Sequence, residues 1–295
     1  MRATRLLPPI FALVLLASAC GARFPAAPVV LPAGPSAAEI LARSVTAAGS
    51  DPYESFTDIA VSYRGEWGTF VEILQPALTD VAYRGTSEER VLVKPGVVAQ
   101  IHEGPGGTKS VLRDSGGVRV AYNGRVSTDR DVVETSALVA DGYAMFLLGS
   151  AWLKQNGRGW ARLEDAVVDG RSYYRLRGIL RPGVGLSEQD EVVAWIDRET
   201  LLLFRVHFTL EGHRNTQGAH ADVTFSDYRE IHGHLWPTHF VERVRGPVDI
   251  HAHEWVMVGL DVNRGLVRAD LGSPGQAAWS TSSSVPARKL SASAP

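Results

Sequence analysis

Residues 137–153 read ALVADGYAMFLLGSAWL, and this stretch decides the fold. At helical spacing one row is Leu138, Gly142, Met145, Gly149 and Trp152; the next is Val139, Tyr143, Phe146, Ser150 and Leu153. Both rows are largely apolar and Asp141 is the single charge, so a helix here must be buried on nearly every side, in a core or in a membrane. A bilayer needs roughly 20 apolar residues, and the run is shorter, with an Asp near its start. The expectation is a helix held by a sheet, one that also lines or lids a ligand cavity.

Working outward, the segments on both sides read as strands. Beyond the helix, Gly157-Arg158-Gly159 stops it, and residues 160–168 and 172–180 flank Asp169-Gly170, a tight-turn pair. Residues 190–196 and 201–211 form a second hairpin about Asp197-Arg-Glu-Thr200, and 219–229, 235–245 and 250–262 continue the series. Along 201–211, Leu202, Phe204, Val206, Phe208 and Leu210 alternate with Leu203, Arg205, His207, Thr209 and Glu211, the pattern of a strand with one face buried. Before the helix, predicted strands are 57–67, 69–75, 80–86, 97–103, 108–113 and 118–122, punctuated by Gly, Pro and Asn-Gly. Asp129 or Ser136 is the expected helix cap.

The ends differ in kind. Met1 to Arg5 is basic, 6–17 apolar and Ser18-Ala19-Cys20 small, which is a secretory signal over residues 1–19. Residues 16–20, LASAC, resemble a bacterial lipobox, and Cys20 is the only cysteine in the chain. It is therefore the expected lipidation site, and no internal disulfide can form. Gly21 follows it where a retention Asp would mark the inner membrane, which points to an outer-membrane anchor facing the periplasm. Residues 20–35 then form an Ala/Pro-rich tether. Ser36-Ala-Ala-Glu39 is a capping box opening an amphipathic helix. Residues 36–272 read as one domain, and 273–295, rich in Ser, Ala and Pro, as a disordered tail.

The fold class expected is α+β: a large curved antiparallel sheet, an unclosed half-barrel, with an N-terminal helix and a central inserted apolar helix. The 45% hydrophobic and 21% charged composition is that of a globular protein, and a net charge of -2 argues against a nucleic-acid partner.

Local sequences at 118–124 (VRVAYNG), 168–172 (VDGRS), 194–197 (AWID) before Thr200, and 225–228 (FSDY) before Gly233 and Pro237 follow one another in an order that resembles LolA/LolB-like carriers of lipoproteins. The resemblance covers most of the mature chain. It implies an unclosed β-barrel under helices, with lipid or lipoprotein acyl chains in the cavity. No binding residue transfers from it.

The chemistry-bearing motifs are weak. Residues 113–117 (RDSGG) echo a serine-protease loop but sit between strands as a turn, and 107–110 (GTKS) lack the Gly before Lys that a phosphate loop needs. Eight of nine histidines fall within 207–253. Among them His232, His234, His251 and His253 form two His-x-His pairs, the spacing that puts two imidazoles on one strand face and could hold zinc. Candidate cavity residues are Tyr63, Trp67, Tyr143, Met145, Phe146, Leu147, Trp152, Trp195, Phe240 and Trp255. The leading reading is a non-enzymatic, membrane-anchored module of the bacterial envelope that binds an apolar ligand and needs no cofactor. The alternative is a zinc-dependent enzyme using the histidines.

Overall fold

A computed structural model describes residues 22–28, 33–272 and 290. The signal at 1–19, Cys20 and the tail at 273–295, apart from Leu290, lie outside the described residues.

The capping box closes as expected. Ser36 Oγ accepts from Glu39 N, while Ser36 N donates to the Glu39 carboxylate, opening α1 (Ala37–Ala47). A short α2 (Pro52–Ser55) leads into β1 (Asp58–Trp67). Two differences from the sequence reading follow. Residues 69–75 are not a strand but α3 (Thr69–Leu74), continued by α4 (Pro76–Thr79). A short apolar run is ambiguous between the two periods. Here Pro76 at a first helical position and the spacing of Val71, Leu74 and Leu78 favour the helix. Residues 80–86 are also not a strand: Asp80 turns the chain with φ 45°, and the strand begins only at Thr86.

That strand, β2 (Thr86–Leu92), starts a meander of β3 (Val97–Gly104), β4 (Gly107–Asp114), β5 (Gly117–Tyr122) and the short β6 (Arg125–Ser127). The chain then crosses through α5 (Arg130–Asn156). A second meander comprises β7 (Gly157–Val168), β8 (Arg171–Leu180), β9 (Asp190–Asp197), β10 (Leu203–Thr209), β11 (His220–Ser226), β14 (His239–Gly246) and β15 (Ile250–Val262). A side hairpin, β12 (Arg229–Ile231) and β13 (His234–Trp236), interrupts it.

Thirteen of these strands form one antiparallel sheet in the order β6-β5-β4-β3-β2-β1-β15-β14-β11-β10-β9-β8-β7. The two meanders are joined by β1 pairing with β15, from Ile59 opposite Val262 to Trp67 opposite His253. The outermost strands, β6 and β7, are the two that α5 connects. The helix therefore runs edge to edge across the inner face, and the sheet stays open.

Asp129 caps α5, accepting from Val132 N at 3.2 Å, so the helix starts seven residues before the apolar run. Of the helices among the described residues, α5 has the length and composition to cross a membrane. It is packed inside the protein instead: Ala140, Met145 and Leu153 are wholly buried in one core with Leu176, Ile196, Phe240 and Trp255. Gly149 breaks its regularity with φ 52° and ψ -127°, a conformation that favours glycine. The single charge of the run is neutralised in place. Asp141 accepts from the Arg113 guanidinium at 3.0 Å and from Gly185 N at 3.0 Å. A side chain at Gly185 would collide with the backbone of Leu138, so that close approach requires glycine.

Candidate ligand cavity

A cavity of about 260 Å³ opens beside the N-terminal half of α5. One wall is the helix, through Leu138, Val139, Gly142, Tyr143 and Phe146. A second is α3 and α4, through Val71, Leu74 and Leu78. The floor is the sheet, through Phe208, Val244, Ile250 and Ala252, with Leu210 just past β10. The β10–β11 loop closes one side with Asn215 and Thr216, and Gln75 Nε2 bridges to it by donating to Asn215 O at 3.1 Å. Leu74 of this wall is partly exposed, as are Phe70 and Ile73 on the same helix.

The walls are apolar with one acidic exception. Glu242 lies on the inner face of β14, between His253 on one neighbouring strand and Val223 on the other. Burial pushes its carboxyl up to about 7; Arg84 opposes the rise and Asp222 adds to it. Beside the cavity Arg84 lies over Trp67 at 4.8 Å and donates to Leu78 O at 2.8 Å. Trp67 stacks on His253 with ring centres 3.9 Å apart, and His253 in turn stacks on Trp255 at 4.6 Å. Burial holds the His253 imidazole well below its ordinary value, so it is neutral at physiological pH.

Of the ten sequence-picked aromatic and apolar residues, Trp67, Tyr143 and Phe146 line this cavity. Tyr63, Phe240 and Trp255 form the packed layer next to it: Trp255 stacks on Phe240 at 5.0 Å, and Tyr63 meets Tyr143 edge-on at 5.4 Å. Met145 is wholly buried away from it. Leu147 lines a separate recess of about 30 Å³ under α1. Trp152 is half-buried against the core at the far end of the helix. Trp195 lies on the outer face, since Val192, Ala194 and Ile196 are the inward residues of β9, and the guanidinium of Arg205 sits 5.0 Å over its ring. Lining residues outside the sequence expectation are Val71 and Leu74, which read as a strand, Leu78, the helix residues Leu138, Val139 and Gly142, and the β-strand floor.

An open antiparallel sheet with an apolar helix along its inner face has counterparts among solved structures. A LolA superfamily protein from Nitrosomonas europaea aligns with a TM-score of 0.51, covering 81% of this chain and 99% of that one at 12% identity. The fold is LolA-like. A DUF1329 family protein from Desulfovibrio piger aligns with a TM-score of 0.47, covering 80% of this chain and 95% of that one at 14% identity. No protein-family model and no curated protein matches the sequence.

Within the LolA-like frame the four histidines singled out for zinc go to separate surroundings. His232 faces Asp261 at 3.3 Å from a turn. His234 Nδ1 lies 2.8 Å from Ser50 O, where the side hairpin meets the loop after α1. His251 is exposed, and His253 is buried in its aromatic stack. Among the described residues these four do not form a group within reach of one ion.

Residues 22–28 of the expected tether lie against the outer face of the sheet. The ring of Phe24 packs on His207 at 4.7 Å, and Ala22 O lies 2.9 Å from His220 Nε2.

Proposed function

We propose that this protein binds the apolar chain of a lipid or of an acylated protein in the cavity beside α5, as a non-enzymatic carrier or receptor of the bacterial envelope. The observation that carries the reading is the cavity itself, an open and mostly apolar space of about 260 Å³ between a core helix and the sheet, far larger than the recess of about 30 Å³ under α1. Its volume is just under the about 300–1,000 Å³ of drug-sized ligand pockets, which suits one chain rather than several. Each buried CH₂ contributes about 0.8 kcal/mol, so one chain gains several kcal/mol without polar recognition. The LolA-like fold agrees with a cavity used this way. Lipidated Cys20 would anchor the protein to the outer membrane, facing the periplasm.

Gly142 offers a clean test. A Cβ added there meets only Phe146 carbons, at 3.6 and 3.7 Å, so a larger side chain can grow into the cavity from a helical position. Wild type is expected to bind a fluorescent fatty acid saturably, and Gly142→Leu to lose that binding while unfolding at an equal or higher temperature. Equal binding by both proteins, or none by wild type, refutes the reading. Extraction of the purified protein and mass spectrometry of the extract then identify the natural chain. For the anchor, Cys20→Ala should move the protein out of the membrane fraction; retention there at wild-type level refutes lipidation at this residue.

A further inference from the structure

A second site stands at the start of α5, made of residues that the cavity does not use. His213, on the β10–β11 loop, is 1% exposed, and neither of its ring nitrogens has a hydrogen-bonding partner in the protein. Buried polar atoms are nearly always paired, so an imidazole with both nitrogens unpaired calls for a reason. Its Nε2 lies near two carboxylate oxygens at the start of the helix, Asp131 Oδ1 at 3.7 Å and Glu134 Oε2 at 3.9 Å. Both separations are too long for hydrogen bonds. The three atoms lie within 4.8 Å of one another.

Those spacings fit a shared ion. Zinc bonds of about 2.0–2.2 Å to N and O put two tetrahedral ligands about 3.4 Å apart, so a small inward movement of the loop completes the geometry. The free oxygens are also the ones left over. Asp131 Oδ2 accepts from Arg214 Nη2 at 2.8 Å, and Glu134 Oε1 accepts from Arg130 Nε at 2.6 Å. Asp131 Oδ1, buried, has no hydrogen-bonding partner. Each arginine thus holds its carboxylate by one oxygen and aims the other inward, as second-layer partners do around metal ligands.

Charge selects among ions. The positive end of a helix and two guanidiniums oppose a cation here, so a hard ion held by charge alone is disfavoured. An imidazole donor beside carboxylates favours a transition cation bound by coordination. We propose that Asp131, Glu134 and His213 form a binding site for a divalent transition cation, Zn²⁺ by its donor set, which pins the β10–β11 loop to the first turn of α5. The loop is already shaped for this: Thr216 Oγ1 donates to Leu210 O at 2.7 Å and to His213 O at 3.0 Å, fixing the turn that presents the imidazole. Because Asn215 and Thr216 of the same loop line the cavity, the ion would stiffen one of its walls. The site itself does not depend on what occupies the cavity.

The test is calorimetric titration of the full chain, stripped with chelator, with Zn²⁺ alone. One ion per chain is expected, with affinity lowered by about 10-fold or more in Glu134→Gln and in His213→Gln, and unchanged in His232→Ala and His251→Ala. Hydrogen–deuterium exchange on wild type reads the latch directly: added Zn²⁺ should slow exchange at residues 211–218 and 131–135. That measurement stands even if His213→Gln does not fold. Absence of stoichiometric binding, wild-type affinity in Glu134→Gln, or protection confined to other segments would each overturn the proposal. Fatty-acid binding is measured separately, so the failure of one site leaves the other standing.

Discussion

The two halves of the inner face solve burial in opposite ways. On the β2–β5 side two of the inward rows carry polar side chains into the core. One runs Tyr63, Ser87, His102, Lys109, Tyr122 and the next Val61, Glu89, Gln100, Val111, Val120. On the β8–β15 side the inward rows are Leu176, Ala194, Val206, Val223 and Phe225, Phe240, Trp255. The polar half is closed by its own bonds: Lys109 Nζ donates to Asp80 at 2.8 Å, Tyr122 donates to the same carboxylate at 2.6 Å, and Gln100 donates to Glu89 at 2.9 Å. The floor and helix wall of the cavity belong to the apolar half. The lesson is physical. Directional bonds tie polar side chains to one another and leave no room, whereas apolar walls tolerate an opening that something greasy can fill.

Four variants probe this contrast, from the largest expected effect to the smallest. Trp255→Ala removes the ring stacked between Phe240 and Tyr143, at 5.0 and 5.3 Å. It should cost about 3–5 kcal/mol in chemical unfolding, as for other large core truncations. A loss below about 1 kcal/mol would mean that the apolar half is not the stabilising core. In the polar half, Lys109→Met leaves Asp80 without its cation. Removing one partner of a buried pair costs about 3–5 kcal/mol; because Asp80 keeps the Tyr122 hydroxyl, about 2–3 kcal/mol is expected. No change would show that the polar rows are passive filler.

Third, Glu242 is the acid on the apolar side, and its carboxyl is raised from 4.5 to about 7 by burial. A raised folded-state value means that the neutral form is the one the fold favours. Its stability is therefore fully present below about pH 4.5 and is lost as pH climbs through about 7. Glu242→Gln should match wild type near pH 4 and exceed it by up to about 3 kcal/mol near pH 8. Melting curves across that range decide it, and parallel curves for the two proteins would contradict the burial of this group. Fourth, Val244 faces the opening rather than a packed neighbour layer, so Val244→Ala should cost under about 1 kcal/mol in the absence of ligand while weakening fatty-acid binding. A loss as large as that of Trp255→Ala would make Val244 core, not wall.

Much of the architecture is legible in the chain. The greasy helix, the hairpins at Asp169-Gly170 and at 197–200, and the capping box at Ser36 all stand where local patterns put them, because each rests on a short-range rule. Two segments are not legible. The β2 sequence SEERVL has charges at Glu88, Glu89 and Arg90, and its inward Glu89 makes sense only once Gln100 and Ser87 are seen to bond it. Val71 and Leu74 read as a strand until the helix they belong to is placed against α5. The cavity was half legible for the same reason. Trp67, Tyr143 and Phe146 announce themselves by size, whereas whether Trp195 or Phe208 points inward depends on the register of β9 and β10. The His213 set is not legible in the chain because Asp131 and Glu134 lie some 80 residues away from it, and only the fold brings the three together.

The pairing of β1 with β15 has a consequence for how the protein must be made. Ile59 meets Val262, 203 positions further along the chain, so the two meanders cannot join until the last strand has been synthesised. Loop-closure entropy makes such long-range pairing slow. Until it forms, β1 and β14 each present a bare hydrogen-bonding edge beside an unfilled apolar face, the kind of edge that recruits other chains. The vulnerable interval is therefore the wait for residues 250–262, during which an unpaired β1 is open to pairing with another chain.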